Sequence, residues 1–160
     1  MILDPPGLVS GTAQRLPHWP YVRAVDEALT ARGIPPGTVR ADRTYAARGN
    51  TMYIVLVWDI SRTAGAGGLR FNWEEETGWA YAVLGVRPSL ASPAQTLTAL
   101  HRVFAAPDDV ADVADHFVHN WRLPSGEYGA EWDQAAEVRS TIDRFRATVT
   151  EPGGVWTGAG

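Results

Sequence analysis

The chain has 160 residues and a formal net charge of −4 at pH 7, with 45% hydrophobic and 10% aromatic residues. These values are typical of one globular domain that buries its own core, and the acidic balance disfavours general nucleic-acid binding, which needs a basic surface. No cysteine is present, which excludes disulfides, thiol nucleophiles, zinc–thiolate sites and iron–sulfur clusters.

The N-terminal sequence MILDPPGLVSG has neither the basic region nor the long apolar segment of a signal peptide. The longest apolar run, Met52–Trp58, is too short for a membrane span, which needs ~20 residues. We therefore expect a cytoplasmic protein with no membrane contact. All basic residues are arginine, and because arginine, alanine and glycine have GC-rich codons, this composition indicates an actinobacterial genome.

Residues 1–16 are rich in proline and glycine and are expected to be flexible. The first helix is predicted over His18–Arg32, with Pro20 in its first turn and Gly33 at its end. Its apolar residues recur at helical spacing and form one stripe, namely Tyr21, Val22, Val25, Ala28 and Leu29.

The middle of the chain has the pattern of antiparallel strands. A weak edge strand is predicted near Thr38–Tyr45, and Thr51–Ile60 is apolar on both faces, as in a central buried strand. Alternating apolar residues in Leu69–Glu74 and Trp79–Leu84 predict a hairpin. Its loop is predicted at Glu75–Gly78, where glycine supplies a positive φ.

The second half of the chain is predicted to be mainly helical. Ser92, Pro93 and Gln95 match a helix start, although an extended reading of residues 93–104 is also open. Firmer helices are predicted over Pro107–Trp121 and Ala130–Thr148 from their apolar stripes. Residues 150–160 form a glycine-rich tail that we expect to be disordered.

These elements predict an α+β fold. It has an antiparallel meander of three or four strands with helices packed mainly on one face, and one domain spans residues 17–149. A sheet that is apolar on both sides needs cover on both sides. A homodimer through the sheet face or its edge is therefore a possible arrangement.

Four segments together resemble a family of small actinobacterial proteins known only as a domain of unknown function. In chain order they are PYVRAVDEALTARG, MYIVLVWD, FNWEEETGW and APDDVADVA, and the resemblance covers about Trp19 to Val118. The Trp–acidic–Gly–Trp hairpin of Trp73–Trp79 is its most specific part. The resemblance implies no activity and supplies no catalytic residues.

Three consecutive glutamates, Glu74, Glu75 and Glu76, mark the predicted hairpin loop. Carboxylates held together in a buried site repel one another unless a metal or arginines neutralise them. Because the side chains at a turn diverge, we expect all three to point into solvent, and the alternative is a metal or acid–base site. Gly65 and the glycines at 67 and 68 lack the third glycine and following helix of a dinucleotide fingerprint, so a flexible connection is expected.

A second candidate site lies on the helix predicted at Pro107–Trp121. Asp112, Asp115, His116 and His119 fall within one arc of about 100°, and these residue types can bind metal ions. The apolar stripe lies on the opposite side, so the four would face water. An exposed polar face is the simpler reading. His18 lies on the apolar side of the first helix and is expected to be a partly buried, hydrogen-bonded histidine.

The surplus of aromatic residues suggests a binding role. Trp73 and Trp79 flank the hairpin tip, and with Arg70 and Tyr81 they could form a platform for a partner, although core packing is the favoured reading of such large aromatics. We expect a non-enzymatic binding or regulatory module that engages a protein partner or small ligand and needs no cofactor. The alternative is a small metal-dependent enzyme using Asp112, His116 and His119. A nucleic-acid contact through arginines 40, 43 and 48 is a weaker third reading.

Overall fold

The structure, a computed structural model, describes residues 2–3, 15–44, 49–65, 67–85 and 93–150. Within these ranges the fold is α+β, as predicted, with three helices and an open sheet. The sheet has five antiparallel strands, where three or four were expected, and a short parallel strand at its edge. The elements are β1 (Ile2–Leu3), α1 (Trp19–Ala31), β2 (Thr38–Arg43), β3 (Met52–Trp58), β4 (Gly68–Glu74), β5 (Gly78–Leu84), β6 (Gln95–Thr96), α2 (Pro107–Asn120) and α3 (Ala135–Thr150).

The strands lie in the order β1-β2-β3-β4-β5-β6, so neighbours in sequence are neighbours in the sheet. Ile2 and Leu3, which belong to the segment predicted to be flexible, pair with Val39 and Arg40. The rest of that segment, and most of the predicted glycine-rich tail, lie outside the described residues. No helix in the described ranges is both long and apolar enough to cross a membrane.

The two faces of the sheet are buried to different extents, as β3 shows most clearly. On β3, Met52, Ile54, Leu56 and Trp58 are buried, whereas the alternate residues between them are only half-buried. This agrees with the central, largely buried strand that the sequence predicts, and the face towards the helices is the more deeply buried of the two. We call the second side the outer face; its central residues are Arg40, Asp42, Tyr53, Val55, Val57, Arg70, Asn72, Glu74, Ala80 and Ala82.

Helix α1 places a large aromatic residue at the centre of the core. Tyr21 packs its ring within 5.0–6.3 Å of the rings of Trp73, Trp79, Phe104 and Trp132. Its hydroxyl donates to the Ala105 carbonyl at 2.7 Å and accepts from Trp79 Nε1 at 3.0 Å. These bonds satisfy the polar atoms that the aromatic core would otherwise bury unpaired.

The segment after β6 is not helical, so the extended reading of residues 93–104 is correct for its start. Gln95 and Thr96 pair with β5, and turns follow up to Ala105. The last helix begins at Ala135 instead of Ala130, because the backbone before it bonds elsewhere. Trp132 N donates to the Phe104 carbonyl, and the Ala130 carbonyl accepts from Ala106 N.

Candidate functional site

Trp73 and Trp79 lie in the core, with 0% and 1% of their surface exposed. The indole of Trp73 donates to the Val103 carbonyl at 2.6 Å, and that of Trp79 donates to the Tyr21 hydroxyl. The expectation that this pair forms a surface platform is wrong, because both rings point towards the helices. They support the fold and cannot anchor a partner from this position.

The other two predicted binding residues lie on opposite faces of the sheet. Tyr81 is on the core face, with its ring 5.6 Å from that of Phe117, and its hydroxyl donates to Gln95 Oε1 at 3.0 Å. Arg70 lies on the outer face, half-buried, and its Nε is buried without a hydrogen-bond partner. The four predicted residues therefore do not converge on one site.

The glutamate triplet divides at the turn between β4 and β5. Glu74 and Glu76 are exposed, as predicted. Glu75 is not in solvent: its carboxylate accepts from Met52 N at 3.0 Å and pairs with Arg146, and only 9% of its side chain is exposed. The prediction failed for Glu75 because its partner on α3 lies 71 residues away, beyond any local pattern.

A cleft of about 240 Å³ opens beside Glu75, between the β4–β5 turn and α3. Arg146 also contacts Asp143 at 3.1 Å, while Arg139 pairs with Glu131 at 3.2 Å and stacks over Phe104 at 4.9 Å. Both arginines of this cleft are therefore paired with carboxylates, whereas Glu76, which also lines it, has no ion pair with any described residue.

The four candidate residues on α2, Asp112, Asp115, His116 and His119, line one cleft of about 180 Å³ together with Asn120. Only His119 of the four is exposed, and the other three are half-buried. The carboxylates of this cleft, however, already have partners from other elements. Asp112 accepts from the Tyr128 hydroxyl and from Arg32 Nη1, both at 2.5 Å. The hydrogen bond from Tyr128 is the main cause, and that from Arg32 the next, of a lowered pKa at Asp112. The same bond to Asp112 raises the pKa of Tyr128 to about 12.

Asp115 and His119 form a hydrogen-bonded pair on the same face. His119 Nδ1 lies 2.6 Å from Asp115 Oδ1 and 3.0 Å from the Asp115 carbonyl, and Arg32 lies 3.8 Å from the same carboxylate. Among the described residues, no group of three or more His, Asp or Glu side chains is placed to hold a metal ion. Arg32 and Tyr128 were not foreseen, since they lie 80 and 16 residues from Asp112.

His18 is completely buried beneath the first turn of α1. Its Nε2 bonds to the Tyr53 carbonyl at 2.9 Å, its ring stacks on Trp73, and its Nδ1 has no partner. Burial lowers the pKa of His18 to about 4, although the bond to Tyr53 acts in the opposite direction. The residue is therefore neutral at pH 7 and has no route to solvent.

The glycine-rich connection between β3 and β4 is tightly packed, which corrects the expectation of a flexible loop. Ala64 N donates to the Val118 carbonyl at 2.9 Å. A Cβ at Gly65 would stand 2.0 Å from the Trp121 ring, and one at Gly67 would stand 2.1 Å from the Leu84 carbonyl oxygen. These glycines are needed because a side chain has no room.

The two described arginines that were considered for nucleic acid lie on opposite faces of β2. Arg43 lies over the Phe145 ring at 5.1 Å and donates to Asn50 Oδ1 at 2.6 Å. Arg40 is exposed on the outer face, and residue 48 lies outside the described ranges.

The outer face of the sheet is a surface that no described helix covers. The helices contact the sheet through its other side, as the ring contacts of Tyr21 with Trp73 and of Phe117 with Tyr81 show. Val55 and Val57 occupy its centre and are half-buried, and arginines 40 and 70 lie beside them. An apolar centre with a charged surround is typical of protein interfaces.

Comparison with known proteins agrees with the resemblance seen in the sequence. A model described as a family of unknown function (DUF6292) matches residues 21–116, more than half of the chain. Neither a curated protein nor a solved structure matches. The matched region runs from α1 into α2 and includes β2 to β6. The chain therefore belongs to the DUF6292 family of unknown function.

Proposed function

We propose that this protein is a non-enzymatic binding module that engages a protein partner through the outer face of its sheet. One observation carries the proposal: a residue from each of the three helices packs against the same side of the sheet, which leaves Val55 and Val57 at the centre of the other side. Trp73 and Trp79 cannot serve as its anchors, since both are buried. The open face of a sheet is a broad surface on which another protein can pack.

A small ligand is a poorer fit than a protein partner. The two clefts described above have volumes of about 180 and 240 Å³, below the ~300–1,000 Å³ of usual small-molecule sites. Four of their lining carboxylates, those of Asp112, Asp115, Glu75 and Asp143, are paired with arginines. A ligand that bound these carboxylates would first have to break those pairs.

The proposal is tested by site-specific photo-crosslinking in the native host. A benzophenone amino acid replaces Val55 on the outer face or, as the control, Ser140 on the exposed side of α3. We expect a discrete adduct from position 55 only, identified by mass spectrometry. Equal labelling from both positions, or none from position 55, would contradict a binding role for the outer face.

The second candidate is a small metal-dependent enzyme that uses the polar face of α2. The observation in its favour is the Asp115–His119 pair, which leaves the second imidazole nitrogen of His119 free for a ligand or proton. Against it, both oxygens of Asp112 have partners. Zinc, nickel and manganese are each added in a thermal-shift assay, with His119→Ala as control. A rise in Tm that His119→Ala abolishes would favour this candidate.

A further inference from the structure

We propose that the partner is a second copy of this chain, bound outer face to outer face about a two-fold axis that crosses the strands over Val55 and Asn72. This inference rests on the proposed function, because it uses the same surface. It is argued from the strand register, from the charges that the register places, and from the size of the face.

The register gives the outer face a symmetrical order of residues. Val55 pairs with Asn72, and two residues further along each strand lie Val57 with Arg70 on one side and Tyr53 with Glu74 on the other. A two-fold axis across the strands at the Val55–Asn72 row reverses this order in the second copy. Arg70 then faces Glu74 of the partner subunit, and Val57 faces Tyr53 of the partner subunit.

Arg70 and Glu74 are the charges that this arrangement would neutralise. Neither forms an ion pair with any residue in the described ranges, whereas Arg32, Arg139 and Arg146 all do. Arg70 Nε is also buried without an acceptor. A guanidinium has five donors, and leaving buried donors unpaired destabilises the chain. Arg70 as a whole is only half-buried, so a carboxylate from a second copy would accept from its Nη groups while Nε stays covered by the chain itself. The symmetry gives two such pairs.

The distances of sheet packing allow these pairs to form. Residues two apart on a strand are separated by roughly 7 Å, and stacked sheets lie about 10 Å apart. Packed sheets are rotated by about 30°, which displaces Arg70 sideways from Glu74 of the partner subunit by only a few ångströms. Both side chains are long enough to compensate. Arg40 pairs with Val55 and would lie near its own copy on the axis, and this like-charge contact weakens the dimer.

The size of the face predicts a weak dimer. Four strands spaced about 4.8 Å apart and seven residues long cover roughly 440 Å² per copy, or about 900 Å² in total, which is below the standard range for stable complexes. We therefore expect a concentration-dependent dimer with a Kd in the micromolar range.

Sedimentation velocity of the full chain over a range of concentrations tests the inference. Arg70→Glu or Glu74→Arg places like charges opposite each other twice in the dimer, and each is expected to weaken association at least about tenfold. The double variant R70E/E74R restores opposite charges and should recover the dimer. Arg122→Glu, an equal charge change at an exposed position outside the sheet, serves as control. Thermal melts confirm that each variant folds.

The outcomes separate this inference from the proposed function. A dimer lost in both single variants and recovered in the double variant supports the two-fold arrangement. A wild-type monomer at all concentrations, single variants that dimerise normally, or a double variant that fails to recover would each overturn it. If the chain is monomeric while position 55 still crosslinks to a different protein, the proposed function stands with another partner. If that crosslink is also missing, both fail.

Discussion

At the scale of single residues, His18 shows how burial decides chemistry. The imidazole gains one hydrogen bond to the Tyr53 carbonyl and a stack on Trp73, but its other nitrogen has no partner. Protonation of His18 would place a positive charge among aromatic rings, with the Tyr53 carbonyl as its only hydrogen-bond acceptor. Burying a charge without full pairing is costly. The residue therefore acts as a neutral part of the core and is not available as a base.

This burial predicts a pH-dependent stability. The pKa of His18 is lowered from 6.5 to about 4 in the folded chain, so between these values the unfolded chain binds more protons. The contribution of neutral His18 to the free energy of unfolding is fully present above pH 6.5. It is lost as the pH falls, and the loss reaches about 3 kcal/mol at pH 4. Urea unfolding at pH 7 and pH 4.5 measures this loss.

His18→Gln is the matched control, since its amide can still donate to Tyr53 but does not titrate. Asp26 and Asp109 have raised pKa values, chiefly through desolvation, and they act in the opposite direction in both proteins. The variant should therefore lose less stability than the wild type on acidification. Equal losses would show that His18 is not the responsible group.

At the scale of elements, the connection between β3 and β4 is fixed against the end of α2. Trp121 ends that helix in the left-handed conformation at φ 56° and places its ring against Gly65. The ring also packs 5.3 Å from Phe117, so it cannot move away freely. The sheet and the helix are joined at this point by a contact that only glycine permits.

Gly65→Ala is expected to lower the free energy of unfolding by about 1–3 kcal/mol, since the new methyl group would overlap the Trp121 ring. Gly129→Ala is the matched control, because nothing lies within 4 Å of the position that its methyl group would take; it should change stability by less than about 0.5 kcal/mol. Chemical denaturation measures both. Equal stability of the two variants would contradict a constrained connection.

A second link between elements joins the β4–β5 turn to α3. Glu75→Gln keeps an acceptor for Met52 N but removes the charge that pairs with Arg146. A double-mutant cycle of Glu75→Gln with Arg146→Met is expected to give a coupling free energy of about 1–2 kcal/mol, because Glu75 is largely shielded from water. Glu76→Gln, at an exposed position, should have little effect. A coupling near zero would mean that the pair does not hold α3.

The elements that local pattern defines were predicted well, and those defined by distant contacts were not. The stripe of Tyr21, Val22, Val25 and Leu29 located α1 within one residue at each end. In contrast, β6 depends on pairing with β5, and the start of α3 depends on the bond from Trp132 N to Phe104. The candidate site failed for the same reason: whether Trp73 faces a helix or a partner depends on elements elsewhere in the chain.

At the scale of the whole molecule, the core extends beyond the part that defines the family. The family model ends at residue 116, but α3 and the segment before it contribute large buried side chains. Trp132 packs against Tyr21 at 5.0 Å, and Ile142 and Phe145 are 1% and 4% exposed. The matched region therefore lacks part of the cover that its aromatic core needs.

A chain ending at Trp121 is expected to lose cooperative folding, because Tyr21 and Phe104 would be exposed where Trp132 and α3 now cover them. Near-UV circular dichroism and thermal melting of the purified fragment measure this. In the full chain, Ile142→Ala should cost about 2–4 kcal/mol through the cavity it leaves, while Ser140→Ala, at an exposed position of the same helix, should be nearly neutral. A fragment ending at Trp121 that melts as sharply as the full chain would show that the core folds without α3. In that case α3 would pack on a core that is stable without it.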